Sequence, residues 1–146
     1  MNHLETLLQE KAKSGYLVCF HNGCQRHEQC LRWQVAQRTD PELRTRTVVN
    51  PLNRLVAEGN CPMFRDATPL RMPIGMLHFY LDMPGRLERR IKGSLISDLS
   101  RTNYYRYHSG HQPIPPDVER LIRDTCRSCG WNEEPRFDAY IDDYVW

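Results

Sequence analysis

"GRLERRIKGSLISDLS", residues 85–100, places Leu87, Ile91, Leu95 and Leu99 at intervals of four. That spacing returns a side chain to the same face of an α-helix at almost every turn, so the stretch predicts a helix with one apolar stripe. Arg86, Arg89, Arg90 and Lys92 fall away from the stripe, which makes the helix basic and amphipathic.

Working outward, "NYYRYHSGHQPIPP" (103–116) reads as a Tyr-rich turn, with Gly110 free to take a positive φ and prolines that break regular structure. The second of the paired prolines opens "PDVERLIRDTCRSCG" (116–130), the clearest helix in the chain. It has Pro in its first turn, acids early and Gly130 as its stop, and Val118, Leu121, Ile122, Thr125, Cys126 and Cys129 share one stripe. Cys126 and Cys129 are explained there by packing rather than by metal, even with His108 and His111 nearby in sequence. "RFDAYIDDYVW" (136–146) carries aromatics that dock the tail on the core.

Upstream, "MPIGMLHFYLDMPG" (72–85) is apolar enough for either a buried strand or a core helix, and its length does not decide between them. "HLETLLQEKAKSG" (3–15) predicts a helix buried through Leu4, Leu7 and Leu8. "YLVCF" (16–20) reads as extended, a second helix runs from about His27 to Thr39-Asp40-Pro41, and "RTRTVVNP" (44–51) has the alternation of a short strand. "LNRLVAEGNCP" (52–62) reads as one or two helical turns ended by Gly59, which leaves Cys61 in a turn. The expected fold is α+β and mainly helical. It is a single small domain over 1–146, with a Cys-rich, metal-stabilised half at 1–65 and a helical half at 66–146 that ends in an acidic aromatic tail.

The Cys-rich half rests on "CFHNGCQRHEQC" (19–30). Cys19, Cys24 and Cys30 there, with the remote Cys61, give C-x4-C-x5-C-x30-C. Zn²⁺ takes four soft ligands in a tetrahedron, and four cysteines supply the number. "HNG" is a turn that directs sulfurs to a common point, Arg26 and Arg32 offset the charge of four thiolates, and His21 or His27 can stand in for one cysteine. An iron–sulfur cluster is the alternative, because the first interval, though not the second, agrees with the plant-ferredoxin spacing. Reduced cysteines packed as small hydrophobes are the plain reading of the same residues.

Charge points to a partner. The chain is formally +2, and all its basic residues except Lys11, Lys13 and Lys92 are arginine, the side chain whose planar fork matches phosphate and carboxylate. Residues 86–106 hold six basic residues against Glu88 and Asp98. Residues 133–146 hold five acids against Arg136. An anionic partner, or a tail folded over the basic face, accounts for this asymmetry. With no run of about 18 apolar residues and an acidic start where a leader would be basic and then apolar, the sequence is expected to be cytoplasmic and free of the membrane. There the cysteines stay reduced and favour metal over disulfides. Dinucleotide, Walker, nucleophile-elbow and zincin motifs are absent. "NYYRYHSGH" is the nearest approach to a catalytic set, as in a small nuclease or phosphodiesterase, so the expectation leans away from an enzyme.

Residues 90–131 resemble repressor-type helix-turn-helix domains. That resemblance implies that Thr102, Asn103, Tyr105, Arg106 and His108 face nucleic acid while Arg89, Arg90 and Arg101 hold phosphates. "SDLSRTN" lacks the Ala and Gly usual in such a turn. The whole chain resembles an uncharacterised family of small proteins from Bacteroides-type bacteria, a domain of unknown function, through "CFHNGCQRHEQCLRW", "VVNP", "YYRYHSG" and "FDAYIDDYVW". This resemblance brings no activity, but it implies that the cysteines and the Tyr-Arg segment belong to one module. The function expected is a zinc-binding, nucleic-acid-binding regulatory module with an Arg/Tyr surface. The alternative is a metal-stabilised protein-interaction module with the tail as its docking element.

Overall fold

The computed structural model describes residues 1–146. Six α-helices and one two-stranded sheet make an α+β, predominantly helical fold. The chain forms two compact units, one of residues 1–70 with 143–146 and the other of residues 71–142.

In the first unit, α1 (His3–Lys13) starts where Asn2 accepts the Glu5 backbone N–H at 2.8 Å, and it buries Leu8 and Ala12. A side-chain cap of this kind satisfies one of the amides a helix leaves unpaired at its start. At the other end, Arg46 donates to the carbonyls of Ala12 and Tyr16 at 2.6 and 2.9 Å. The helix packs on α2 (Leu31–Ala36), and Val18, Leu31, Val35 and Tyr144 close this core. The expected second helix is divided, a 3₁₀ turn at His27–Gln29 preceding α2. The strand expected at 44–51 shrinks to a single parallel bridge with the extended strip at 16–20, Val48 to Val18. β-rich composition makes a strand only where a partner runs alongside for several residues. α3 (Arg54–Ala57) starts on the Asn53 side chain, and Gly59 follows it at φ 81°.

In the second unit, the apolar segment left open by its length begins as β1 (Leu70–Ile74) and continues through Gly75 into turns. β1 pairs with β2 (Ala139–Asp143). α4 (Gly85–Leu99) buries Ile91 and Leu95 and packs against both α5 (Arg101–His108) and α6 (Pro116–Ser128). Of the stretch expected to be a Tyr-rich turn, residues 103–108 are instead helical, while Gly110 takes the expected positive φ, at 78°. The reason for the helix is packing: Tyr104 and Tyr107 are both buried, and the Tyr104 and Tyr80 hydroxyls meet at 2.9 Å inside the core. Burial holds both phenols protonated. α6 matches its sequence signature, with Pro116 in the first turn, Val118, Ile122, Thr125 and Cys126 buried, and Gly130 at φ 93° beyond it. Burial pushes the Cys126 thiol up to about 11.

Asp138 organises the turn after β1. Its carboxylate accepts the backbone N–H groups of Leu77 and His78 at 2.9 and 3.1 Å, and it meets His78 Nδ1 at 3.0 Å. Burial raises its pKa, but those donors outweigh it and the net shift is downward. Gly75 makes room for this carboxylate, because at φ 82° an added Cβ would stand 2.5 Å from Asp138 Oδ2. Gly75→Ala adds a clash to a backbone conformation that already costs an L-residue about 1–3 kcal/mol. It should destabilise the protein by at least about 2 kcal/mol, measured by denaturant unfolding.

Glu5 and Arg38 form a bidentate pair at 2.6 and 2.7 Å, and the Arg38 hydrogen bond holds the Glu5 carboxyl below its ordinary value of 4.5. A carboxylate depressed in the folded state stabilises above its unfolded pKa and loses that contribution as the pH falls through the folded value. The pair's contribution should be complete above about pH 5 and fade progressively as the pH falls through the lowered folded pKa. Glu5→Gln should flatten that part of the stability profile while leaving the slope near pH 7 unchanged.

Candidate metal centre and basic helical face

The first unit brings Cys19, Cys24, Cys30 and Cys61 to the lining of one small void, together with His21 and His27. Val49, Val56, Met63 and Phe64 supply apolar walls. The void measures about 20 Å³. A space of that order holds about one water-sized body. All six cysteines of the chain are free thiols. As placed, no group of three or more His, Cys, Asp or Glu side chains forms a set that could hold a metal.

Each cysteine stands on a defined piece of backbone. The Cys19 N–H donates to the Arg32 carbonyl at 3.1 Å, which ties the extended strip to α2. Cys24 closes the expected His-Asn-Gly turn by donating to His21 O at 3.3 Å, and a Cβ on Gly23 would meet the His21 ring at 3.2 Å. Cys30 precedes α2 and bridges to Asp66, and that pairing carries the Cys61 loop alongside. Cys61 O accepts the Phe64 N–H at 3.3 Å, a second tight turn. Burial pushes the Cys19 thiol up, helped by the neighbouring thiols and opposed by a backbone hydrogen bond at His21.

His27 Nδ1 lies 2.6 Å from the Cys24 carbonyl oxygen. Because a carbonyl only accepts, Nδ1 carries a proton, which in the neutral ring leaves the lone pair on Nε2, 4.0 Å from Glu28 Oε1. A histidine anchored in this way has the tautomer metal-binding histidines use.

Arg32 is the residue that sequence reasoning undervalued. Its Nε donates to Met63 O at 2.6 Å and one terminal nitrogen to Leu17 O at 3.0 Å. It thus clamps the strip leading to Cys19 against the loop that follows Cys61. The signal for its burial was its position four residues before Ala36, on the face of α2 that turns inward.

In the second unit, Arg89, Arg90, Arg101, Asn103, Tyr105 and Arg106 are exposed and His108 is half-buried. Of these, Tyr105, Arg101 and His108 come together. The Arg101 guanidinium stands 5.5 Å from the Tyr105 ring centre and the His108 ring 6.1 Å from it. Lys92, which the sequence reading left out of the site, lies 5.6 Å from the same ring. Burial, with Lys92 nearby, lowers the His108 pKa. Arg89 and Arg90 lie on α4, away from this cluster in sequence. None of Arg86, Arg89, Arg90, Arg101 or Arg106 forms an ion pair, whereas Arg71, Arg123, Arg127 and Arg136 in the same unit all do. Of the acidic segment, Glu134 pairs with Arg123 and Asp142 faces Arg71, while Asp138 lies close enough to His108 to act on its charge.

α4 and α5 are joined by Ser100 alone, at φ 77° and ψ 155°. The joint is shorter than the three- to four-residue turn of helix-turn-helix units. The strain falls where glycine is normally required, and Ser100 is retained as a cap, its Oγ accepting the Asn103 N–H at 3.3 Å. Ser100→Gly relieves the strain at the cost of a few tenths of a kcal/mol in capping, whereas Ser100→Ala keeps the strain and loses the cap. The glycine variant should be the more stable of the two by about 1–2 kcal/mol in thermal or urea unfolding.

The chain belongs to a family of unknown function, DUF6078, which matches residues 1–146. No curated protein and no solved structure matches it. No helix is long and apolar enough to cross a membrane.

Proposed function

We propose that this protein is a small zinc-binding module, with Cys19, Cys24, Cys30 and Cys61 as ligands, which binds nucleic acid through the basic face of α4 and α5. The observation that carries the metal reading is the lining of one ion-sized void by four cysteines, the fourth 31 positions beyond the third. Chance burial of small hydrophobes gives no reason for four thiols from an extended strip, two tight turns and the start of α2 to converge. Two tight turns and the Cys30–Asp66 bridge already hold the backbone, and the side chains close on the ion when it binds. Four protein ligands leave no open position for substrate, which makes the site structural and metal a stabiliser of the Cys-rich half. His27 is the reserve ligand. A cytoplasmic location keeps the thiols available.

The unpaired arginines support the nucleic-acid reading. A protein normally pairs or disperses its surface cations, and a row left free suits phosphates, whose bound counterions are released on binding. Arg89, Arg90, Arg101 and Arg106 hold the backbone. Asn103, Tyr105 and His108 supply the hydrogen-bonding and stacking groups beside it.

Freshly purified protein should carry about one zinc per chain, by elemental analysis. Cys61→Ser should lose most of it, and a strong chelator should lower the unfolding temperature. Iron with visible absorbance, or no metal at all, would sink the zinc reading. Labelled DNA or RNA should bind at low salt and weaken steeply as salt rises, and the triple change Arg89, Arg90 and Arg106 to Ala should abolish most of that binding. Undetectable binding at low salt, or binding indifferent to the triple change, would remove the nucleic-acid reading.

A further inference from the structure

Arg32 is 7% exposed, and it touches no carboxylate. Its two hydrogen bonds go to backbone carbonyls, Leu17 O and Met63 O, and its guanidinium carbon lies 5.1 Å from the Tyr16 ring centre. Carbonyls and an aromatic face solvate a cation only in part, and a guanidinium does not shed its proton to escape burial. A buried charge without an opposite charge is expensive. The groups near it that are able to become negative are the Tyr16 phenol, which burial holds protonated, and the thiols that line the same void as Arg32.

Neutral thiols do not answer this charge, and a His₂Cys₂ set around a divalent ion is itself neutral. Four thiolates around a divalent ion carry two negative charges, and three thiolates with His27 carry one. Arg26 adds a second cation at the rim. It is exposed, and its guanidinium carbon sits 4.0 Å from the ring centre of Phe64, which forms a wall of the void.

From this placement we infer that Arg32 is the built-in counter-charge of the metal centre, and that it selects a net-negative, thiolate-rich ion complex over a neutral one. The inference rests on the zinc reading above and adds the electrostatic class of ligand that the site takes. Arg32 is a positioning residue and no ligand, having no lone pair to offer. Its charge and its clamp between Leu17 and Met63 are separable functions, since lysine keeps the charge with different geometry while glutamine keeps a neutral donor.

The test is zinc affinity of the full-length protein, by competition with a chromogenic chelator, for wild type, Arg32→Lys, Arg32→Gln, Arg26→Lys and Arg26→Glu. Removing a partner of this kind from a metal site typically weakens binding by about 10- to 100-fold. Arg32→Gln should fall in that range while Arg32→Lys stays within about threefold of wild type, and the cobalt-loaded protein should show sulfur-to-cobalt charge-transfer absorption. Wild-type affinity in Arg32→Gln overturns the inference, as does an equal loss in both variants, which would mean that Arg32 acts only as a clamp. Should the Arg32 variants not fold, the exposed position decides. Arg26→Glu weaker than Arg26→Lys supports the counter-charge, and equal affinities refute it. Wild-type protein that binds no zinc fails the zinc reading itself, a result distinct from any of these.

Discussion

A guanidinium at the centre of the first unit holds two carbonyls that belong to chain segments 46 residues apart, at Leu17 and Met63. Arg32 reaches both from the inward face of α2, beside Leu31, Val35 and Ala36. Without that clamp, the strip leading to Cys19 and the loop following Cys61 have little regular structure to join them. The nearest ladder contacts are single bridges, Val18 to Val48 and Cys30 to Asp66. A unit with three short helices and no sheet of its own is sparsely cross-linked.

The second unit solves the same problem with packing. α4, α5 and α6 gather Ile91, Leu95, Tyr104, Ile114 and Ile122, all fully buried, around one core. The cost appears at Ser100, where two helices meet with a single residue between them in a conformation that suits glycine. The short joint keeps Tyr104 and Tyr107 inward, so the other face of α5 presents Asn103, Tyr105 and Arg106 to solvent. Burial of one side of the helix thereby specifies which polar groups the protein offers to a partner.

Periodicity made α1, α4 and α6 legible, because each has an apolar stripe long enough to outweigh local exceptions. α5 was not legible. "RTNYYRYH" has few aliphatic residues, and its tyrosines read equally well as a turn until the buried hydroxyl pair with Tyr80 shows which way Tyr104 faces. The strand expected at 44–51 failed for the opposite reason, since β-branched residues are present but the extended strip at 16–20 accompanies them for only one bridge. At the candidate metal centre, three cysteines in twelve residues were visible at once, whereas Cys61 was an inference from number alone. Arg32 was named as a charge near the cysteines, but its burial and its clamp depend on contacts with residues far away in the chain.

The sequence by itself determined the long helices, the stops at Gly59 after the short α3 and at Gly130 after α6, the cysteine inventory and the excess of arginine over residues 86–106, because these depend on neighbours within a few positions. Tertiary structure alone decided that four cysteines line one small void, that Arg32 lines it too without a carboxylate partner, and that the arginines of α4 and α5 remain unpaired. The physical reason is range. Helix periodicity is written in local spacing, whereas desolvation and ion pairing depend on which distant segments the folded chain brings within a few ångströms.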